Sequence, residues 1–195
     1  MELILASASP YRQALLRQAE IPFRAVAPHV DEAAIAHAVT AQGGTHVQVC
    51  RALATAKAQA VAGCNPADIV VGCDQLLSID DEILGKPGTP DGARAQLRRL
   101  SGRTHELITA FAVMAPNTVV VEEIRSQMTM RSLTDAEIFR YVAADEPWDC
   151  AGSYKWESRG IALFEQIATP DHTAIVGLPM IGLITALRQC GFEVL

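Results

Sequence analysis

The run Ile69-Val70-Val71-Gly72-Cys73 is apolar at every position and ends on a carboxylate, Asp74. A strand with this pattern has no polar face to show to water, so it has to be covered on both sides. The neighbouring segments supply the cover. His46 to Ala62 places Val47, Cys50, Leu53, Ala54 and Val61 at helical spacing, which predicts an amphipathic helix. Leu3 to Ala6 and Phe23 to Ala27 read as short strands. Between them Ser9-Pro10 opens a helix reaching about Ala19, with Ser at the N-cap and Pro at the first helical position. Asp91 to Leu100 reads as a helix with Arg94, Arg98 and Arg99 outward. Leu107 to Ala115 and Thr118 to Arg131 read as long strands joined at Pro116-Asn117. Thr134-Asp135-Ala136-Glu137 matches a capping box, starting a helix to about Ala143. Gly160 to Phe164 reads as a strand and Pro179 to Cys190 as the last helix. Alternating strands and helices with a central hairpin indicate an α/β protein with a mixed sheet. No linker interrupts the 195 residues, so one domain over 1–195, built as two lobes sharing a core, is expected.

Charge narrows the function classes. A formal net charge of -6 disfavours binding long nucleic acid by its backbone, but a small anionic substrate fits a locally positive site. Cys50, Cys64, Cys73, Cys150 and Cys190 form neither a disulfide framework nor a zinc pattern, which points to reduced thiols and a cytoplasmic protein. The longest apolar stretch, Ala174 to Leu187, contains Gly177 and Pro179 and is shorter than the roughly 18 residues of a membrane span, so no membrane partner is expected.

Two places can carry chemistry. In the first, a strand leads through Ser7-Ala8-Ser9-Pro10-Tyr11-Arg12 into a helix. This aims unpaired backbone N–H groups, two hydroxyls and a guanidinium at one spot, an anion site in principle. An ordinary capped helix with an exposed Arg12 has the same pattern. In the second, Asp74 sits at the carboxyl end of a buried strand, where α/β sheets put ligands, and a carboxylate there can bind Mg²⁺ or take a proton from water. Asp31-Glu32 is an acidic pair able to converge on the same ion, or simply a solvated one. Lys57, on the helix from His46, and Lys86, in Gly85-Lys86-Pro87-Gly88, are phosphate ligands or plain surface charge. The five histidines show no zinc spacing, and no P-loop, dinucleotide fingerprint or nucleophile elbow is present. The residues alone stop at an α/β protein with an anion-and-metal site.

Their combination is more specific. Leu5-Ala6-Ser7-Ala8-Ser9-Pro10-Tyr11-Arg12-Gln13-Ala14-Leu15-Leu16 resembles the S-x-S-x-x-R-x-x-L-L opening of the Maf family of nucleotide pyrophosphatases. Val30-Asp31-Glu32, Lys57-Ala58, Gly72-Cys73-Asp74-Gln75, Gly85-Lys86-Pro87, Leu100-Ser101-Gly102-Arg103-Thr104-His105 and Val176-Gly177-Leu178-Pro179 follow in the family's order. The resemblance implies a two-lobed, inosine-triphosphatase-like α/β architecture with a cleft between the lobes. It also implies hydrolysis between the α- and β-phosphates of a nucleoside triphosphate, with a divalent cation, Mg²⁺ or alternatively Mn²⁺. Carried over, Asp74 is the proton acceptor and, with Glu32, a metal ligand; Ser7, Arg12, Lys57 and Lys86 line the phosphates, with Ser9 beside them. Cys73, where relatives often carry Ser or Ala, is expected to face the core.

Asp149-Cys150-Ala151-Gly152-Ser153-Tyr154-Lys155-Trp156-Glu157 looks like the C-A-G-S-[FY]-K-x-E stretch of the branch acting on 7-methyl-GTP, and Asp74-Gln75 replaces the Asp-Thr of the dTTP and UTP branch. Substrate choice would rest on Tyr11, Gln75 and Glu157. Tyr11 or Trp156 could face the cationic base and Glu157 could accept from its N1–H and amino group. Trp156-Glu157-Ser158-Arg159-Gly160 departs from the usual Ser-Glu-Gly-x-Gly, and Trp156 could equally be a packing anchor. The resemblance is compatible with a homodimer and with a role in clearing modified nucleotides. A regulatory protein of cell division and a pyrophosphatase for UTP or dTTP are the competing readings.

Overall fold

A computed structural model of the chain describes residues 1–194. In chain order the elements are β1 (Leu3–Ala6), α1 (Pro10–Gln18), β2 (Arg24–Ala25), α2 (Glu32–Ala41), α3 (His46–Ala62), β3 (Ile69–Ile79) and β4 (Glu82–Leu84). Then come α4 (Pro90–Leu100), β5 (Thr104–Ala115), β6 (Thr118–Met130), α5 (Asp135–Asp145), β7 (Phe164–Ala168), α6 (Thr173–Val176) and α7 (Met180–Gln189). The strands form one mixed sheet in the order β2-β1-β3-β5-β6-β7, with β4 also paired to β3. β1 runs parallel to β2 and β3, whereas β4 on β3 and β7 on β6 are antiparallel. No helix among the described residues is long and apolar enough to cross a membrane.

The chain divides into two compact units. The first comprises Met1–Asp74, Thr109–Ile124 and Asp171–Leu195. Its sheet is buried on both faces, as the apolar run in β3 requires. Leu3 pairs with Ile69 and Leu5 with Val71. Those side chains join Leu16, Cys73, Phe111, Val113, Leu183 and Leu187 in one apolar cluster. The alternate positions of β3 face α3. A Cβ on Gly72 would lie 2.2 Å from the carbonyl oxygen of Ala54 and 2.4 Å from the nitrogen of Ala58. The bare glycine and two small helical residues therefore let α3 rest directly on the strand.

The second unit comprises Gln75–Ile108 and Arg125–Pro170. Thr89 caps α4, and Thr134 with Glu137 forms the capping box expected for α5. Asp80 and Asp81, both at positive φ, turn β3 into β4.

Several elements differ from the expectations above: β3 runs past Asp74 to Ile79, so that carboxylate lies mid-strand and not at a strand end, and β4 and α6 were not expected. The helix α2 was not expected: Asp31 caps it, its Oδ1 accepting from the Ala34 N–H, and Glu32 is the first helical residue. No residue of α2 is buried, so the sequence carries no apolar periodicity to announce it. The strand expected at Gly160 to Phe164 is a 3-10 turn over Arg159–Leu163, and β7 begins only at Phe164. The Gly160 N–H donates to the Lys155 carbonyl, closing a turn where a ladder bond would otherwise go. The expected strand from Phe23 to Ala27 shrinks to Arg24–Ala25, which pair with Ile4 and Leu5 at the sheet edge.

Candidate active site

In the first unit the close approach of α3 to β3 creates the site. Cys50 and Lys57 are seven residues apart on α3, two helical turns, so they share one face. Gly72 and Asp74 share one face of β3 by strand alternation. Lys57 Nζ donates to Asp74 Oδ1 at 2.6 Å and lies 2.9 Å from Glu32 Oε1. Cys50 Sγ lies 3.5 Å from the Asp74 carbonyl oxygen and 4.0 Å from Oδ2. Asp74 is 5% exposed and Lys57 7%.

Burial raises the pKa of Asp74, and it outweighs the opposing pull of the Lys57 ammonium and of Arg12. Desolvation would lower Lys57, but Asp74 and Glu32 together raise it, so the ammonium stays charged. Burial, reinforced by Asp74, pushes the Cys50 thiol well up and keeps it protonated. Asp74 Oδ1 is thus held by a cation, while among the described residues Oδ2 meets only a weak S–H donor.

The N-terminal element delivers the second half of the first unit's site. Ser9 caps α1, accepting from the Arg12 N–H at 3.4 Å. Ser7 Oγ accepts from the Ser9 N–H at 3.2 Å and from Arg12 Nη1 at 3.3 Å. Arg12 is neither free nor simply exposed. Its Nη1 donates to the Cys73 carbonyl at 2.8 Å and its Nε to the Gly177 carbonyl at 2.9 Å. The guanidinium therefore ties α1 to the residue before Asp74 and to the turn before α7. Gly177 has φ +119°, a conformation that suits glycine. Cys73 is buried, its Sγ 2.9 Å from the Gly177 carbonyl. Tyr11, on the first turn of α1, is half-buried.

Lys86, Gln75 and Glu157 belong to the second unit. Lys86 is exposed and makes no ion pair among the described residues. Gln96 of α4 holds both loops of interest: its Nε2 donates to the Gly85 carbonyl at 2.7 Å, and its Oε1 accepts from Ser153 Oγ at 2.7 Å. Glu157 is exposed, and its pKa is raised by partial desolvation, with Asp149 and Asp145 adding to the effect. Trp156 is half-buried, its ring 6.1 Å from that of Phe164.

No group of three or more His, Cys, Asp or Glu suited to a metal occurs among the described residues. Glu32 and Asp74 nevertheless reach one cationic atom, Lys57 Nζ, together. Two carboxylates fit a Mg²⁺-type ion, which usually takes its remaining oxygens from water and substrate phosphate. Sequence reasoning had no signal for the Gly177 carbonyl. It overlooked Cys50, whose i, i+7 spacing from Lys57 was readable. It also passed over His105, buried at 3% exposure, whose Nε2 lies 3.0 Å from the Tyr154 hydroxyl.

Residues 2–190 match the family described as Maf-like protein. A 7-methyl-GTP pyrophosphatase of Bordetella pertussis is 44% identical over 192 residues, 98% of this chain and 94% of the relative. Proteins of the same description from Albidiferax ferrireducens, 44% identical over 100% and 96%, and Pseudomonas aeruginosa, 40% identical over 99% and 98%, are similarly close. Among solved structures, the Staphylococcus aureus Ham1 protein shares the fold, with a TM-score of 0.52 at 14% identity over 97% of this chain and 98% of that one.

Proposed function

This chain belongs to the Maf family, and from that premise we propose that it hydrolyses a nucleoside triphosphate, 7-methyl-GTP foremost, to the monophosphate and pyrophosphate. The observation that carries the reading is the buried Asp74, with one oxygen held by Lys57 and the other met by the weak Cys50 S–H donor, beside Glu32. The substrate is supported by relatives described as 7-methyl-GTP pyrophosphatases at 40–44% identity over nearly their whole length.

In this mechanism Asp74 Oδ2 accepts the proton of a water that attacks the α-phosphorus. A new P–O bond forms, the bond from the α-phosphorus to the bridging oxygen breaks, and pyrophosphate leaves. Burial makes the Asp74 carboxylate more basic than an exposed one, which suits a general base. Arg12 Nη2, Lys57 and Lys86 take the charge on the phosphate oxygens, and Ser7 and Ser9 hold the first turn of α1 in place beneath them. Asp74 and Glu32 would hold a divalent cation, which when bound supplies further positive charge to those oxygens. Tyr11, Gln75 and Glu157 select the base, with Glu157 accepting from the N1–H and amino group of a cationic purine.

Pyrophosphate release from 7-methyl-GTP, GTP, UTP, dTTP and ITP, with Mg²⁺ and with EDTA, tests the proposal. Metal-dependent turnover led by 7-methyl-GTP is expected. Turnover led by another nucleotide would move the substrate, and nucleotide binding without any turnover would favour the regulatory alternative.

A further inference from the structure

The Ser158 N–H donates to the Lys155 carbonyl at 3.1 Å, so Trp156 and Glu157 are the two central residues of a turn, and Glu157 is exposed at its tip. The turn is anchored on both sides: on its exit the Arg159 N–H donates to Asp145 Oδ2 of α5 at 3.1 Å, and on its entry two residues are held. The Lys155 N–H donates to the Tyr141 hydroxyl of α5 at 2.9 Å, and the Tyr154 hydroxyl meets His105 Nε2 of β5 at 3.0 Å. Tyr154 is buried, its ring edge-on to Phe164 at 4.9 Å. His105 is 3% exposed, and its Nδ1 is buried without a hydrogen-bond partner among the described residues.

A half-satisfied imidazole in an aromatic cluster is a poor choice for packing alone, because an apolar ring of similar size would leave no polar atom stranded. The one hydrogen bond its ring makes among the described residues is directional and reaches the residue three before Glu157. We propose that His105 is a specificity-determining positioning residue: through its hydrogen bond to Tyr154 it fixes the turn that presents Glu157 to the base of the nucleotide. The inference rests on the function proposed above and extends it to a residue that touches no substrate.

The test is Tyr154→Phe, which removes the hydroxyl and keeps the ring, with His105→Phe and the double variant beside it. In both single variants the preference for 7-methyl-GTP over UTP, as a ratio of kcat/KM, falls about five- to tenfold. The loss lies in KM, kcat is retained, and inhibition by tripolyphosphate, which has no base, is unchanged. The double variant loses no more preference than either single change, since each already breaks the one bond. Amide exchange across residues 154–158 is faster in all three. A wild type without preference for 7-methyl-GTP would sink the functional reading before any variant is made, while the exchange measurement still decides the positioning role. Unchanged exchange, or losses equal on both nucleotides, would overturn the role of His105.

Discussion

Gly72 of β3 lies so close under Ala54 of α3 that a Cβ on the glycine would stand 2.2 Å from the Ala54 carbonyl oxygen. The contact decides chemistry as well as packing, because it sets the height at which Lys57 meets Asp74. Backbone atoms cannot yield as a flexible side chain can. Gly72→Ala is therefore expected to push α3 outward, costing about 1–3 kcal/mol or more and most of the turnover. Urea unfolding followed by circular dichroism checks the first, and pyrophosphate release the second. A variant as stable and as active as the wild type would show that the glycine is incidental.

Asp74→Asn keeps the shape and an oxygen for Lys57 but removes the base. Turnover should fall on the order of 10²- to 10⁴-fold while the fold persists. Near-normal kcat in a folded variant would remove Asp74 from the mechanism.

Lys57 stands between the two carboxylates that would hold the cation, 2.6 Å from Asp74 and 2.9 Å from Glu32. Without nucleotide the ammonium neutralises both. Lys57→Met keeps most of the stem and leaves the carboxylates to a divalent ion, so Mn²⁺ should bind the nucleotide-free variant on the order of tenfold more tightly than the wild type. Water-proton relaxation during Mn²⁺ titration measures this directly. Turnover should fall all the same, since a charge on the phosphates is lost. Equal Mn²⁺ affinity would mean that Glu32 and Asp74 do not form a cation site.

Arg12 bridges the Gly177 and Cys73 carbonyls through two different nitrogens of one rigid fork. A lysine offers a single point and cannot serve both. Arg12→Lys is expected to cost roughly 1–3 kcal/mol and to raise KM, because the turn before α7 and the middle of β3 lose their common tie. If the variant melts with the wild type, the guanidinium contributes to substrate binding alone.

Much of this was legible in the sequence for identifiable reasons. The β3 run advertised burial on both faces, and Ser9-Pro10 and Thr134 to Glu137 advertised their helix starts; each signal is local. Asp74 was conspicuous as the carboxylate after an apolar run, although β3 continues past it to Ile79 and places it mid-strand. What stayed hidden depends on contacts distant in sequence. α2 buries none of its residues and so has no pattern to read. Gly160 closes a turn onto Lys155 five residues earlier, which composition does not reveal. The tie from Arg12 to the carbonyl of Gly177, 165 residues away, leaves no trace in side-chain chemistry.

His105 gives the chain an acid-sensitive element that can be measured without substrate. Burial lowers its pKa from the ordinary 6.5 to about 4. Between those values the unfolded chain takes up a proton that the native site refuses. The stability contributed by neutral His105 is therefore complete above pH 6.5 and is lost progressively as the pH falls towards 4. At the lower end the loss is on the order of 3 kcal/mol. Asp74 works in the opposite sense, since its raised pKa lets the native state gain protons as the pH falls, so the wild-type curve alone is a sum of the two. The difference between wild type and His105→Phe isolates the histidine. The Tyr154 hydroxyl stranded by that change is neutral throughout this range, because burial raises its pKa further, and adds only a constant offset. Urea midpoints taken from pH 8 to pH 4 should diverge, with the wild type losing stability relative to the variant below about pH 6.5. Parallel curves would mean that His105 titrates in the native protein as it does in the unfolded chain.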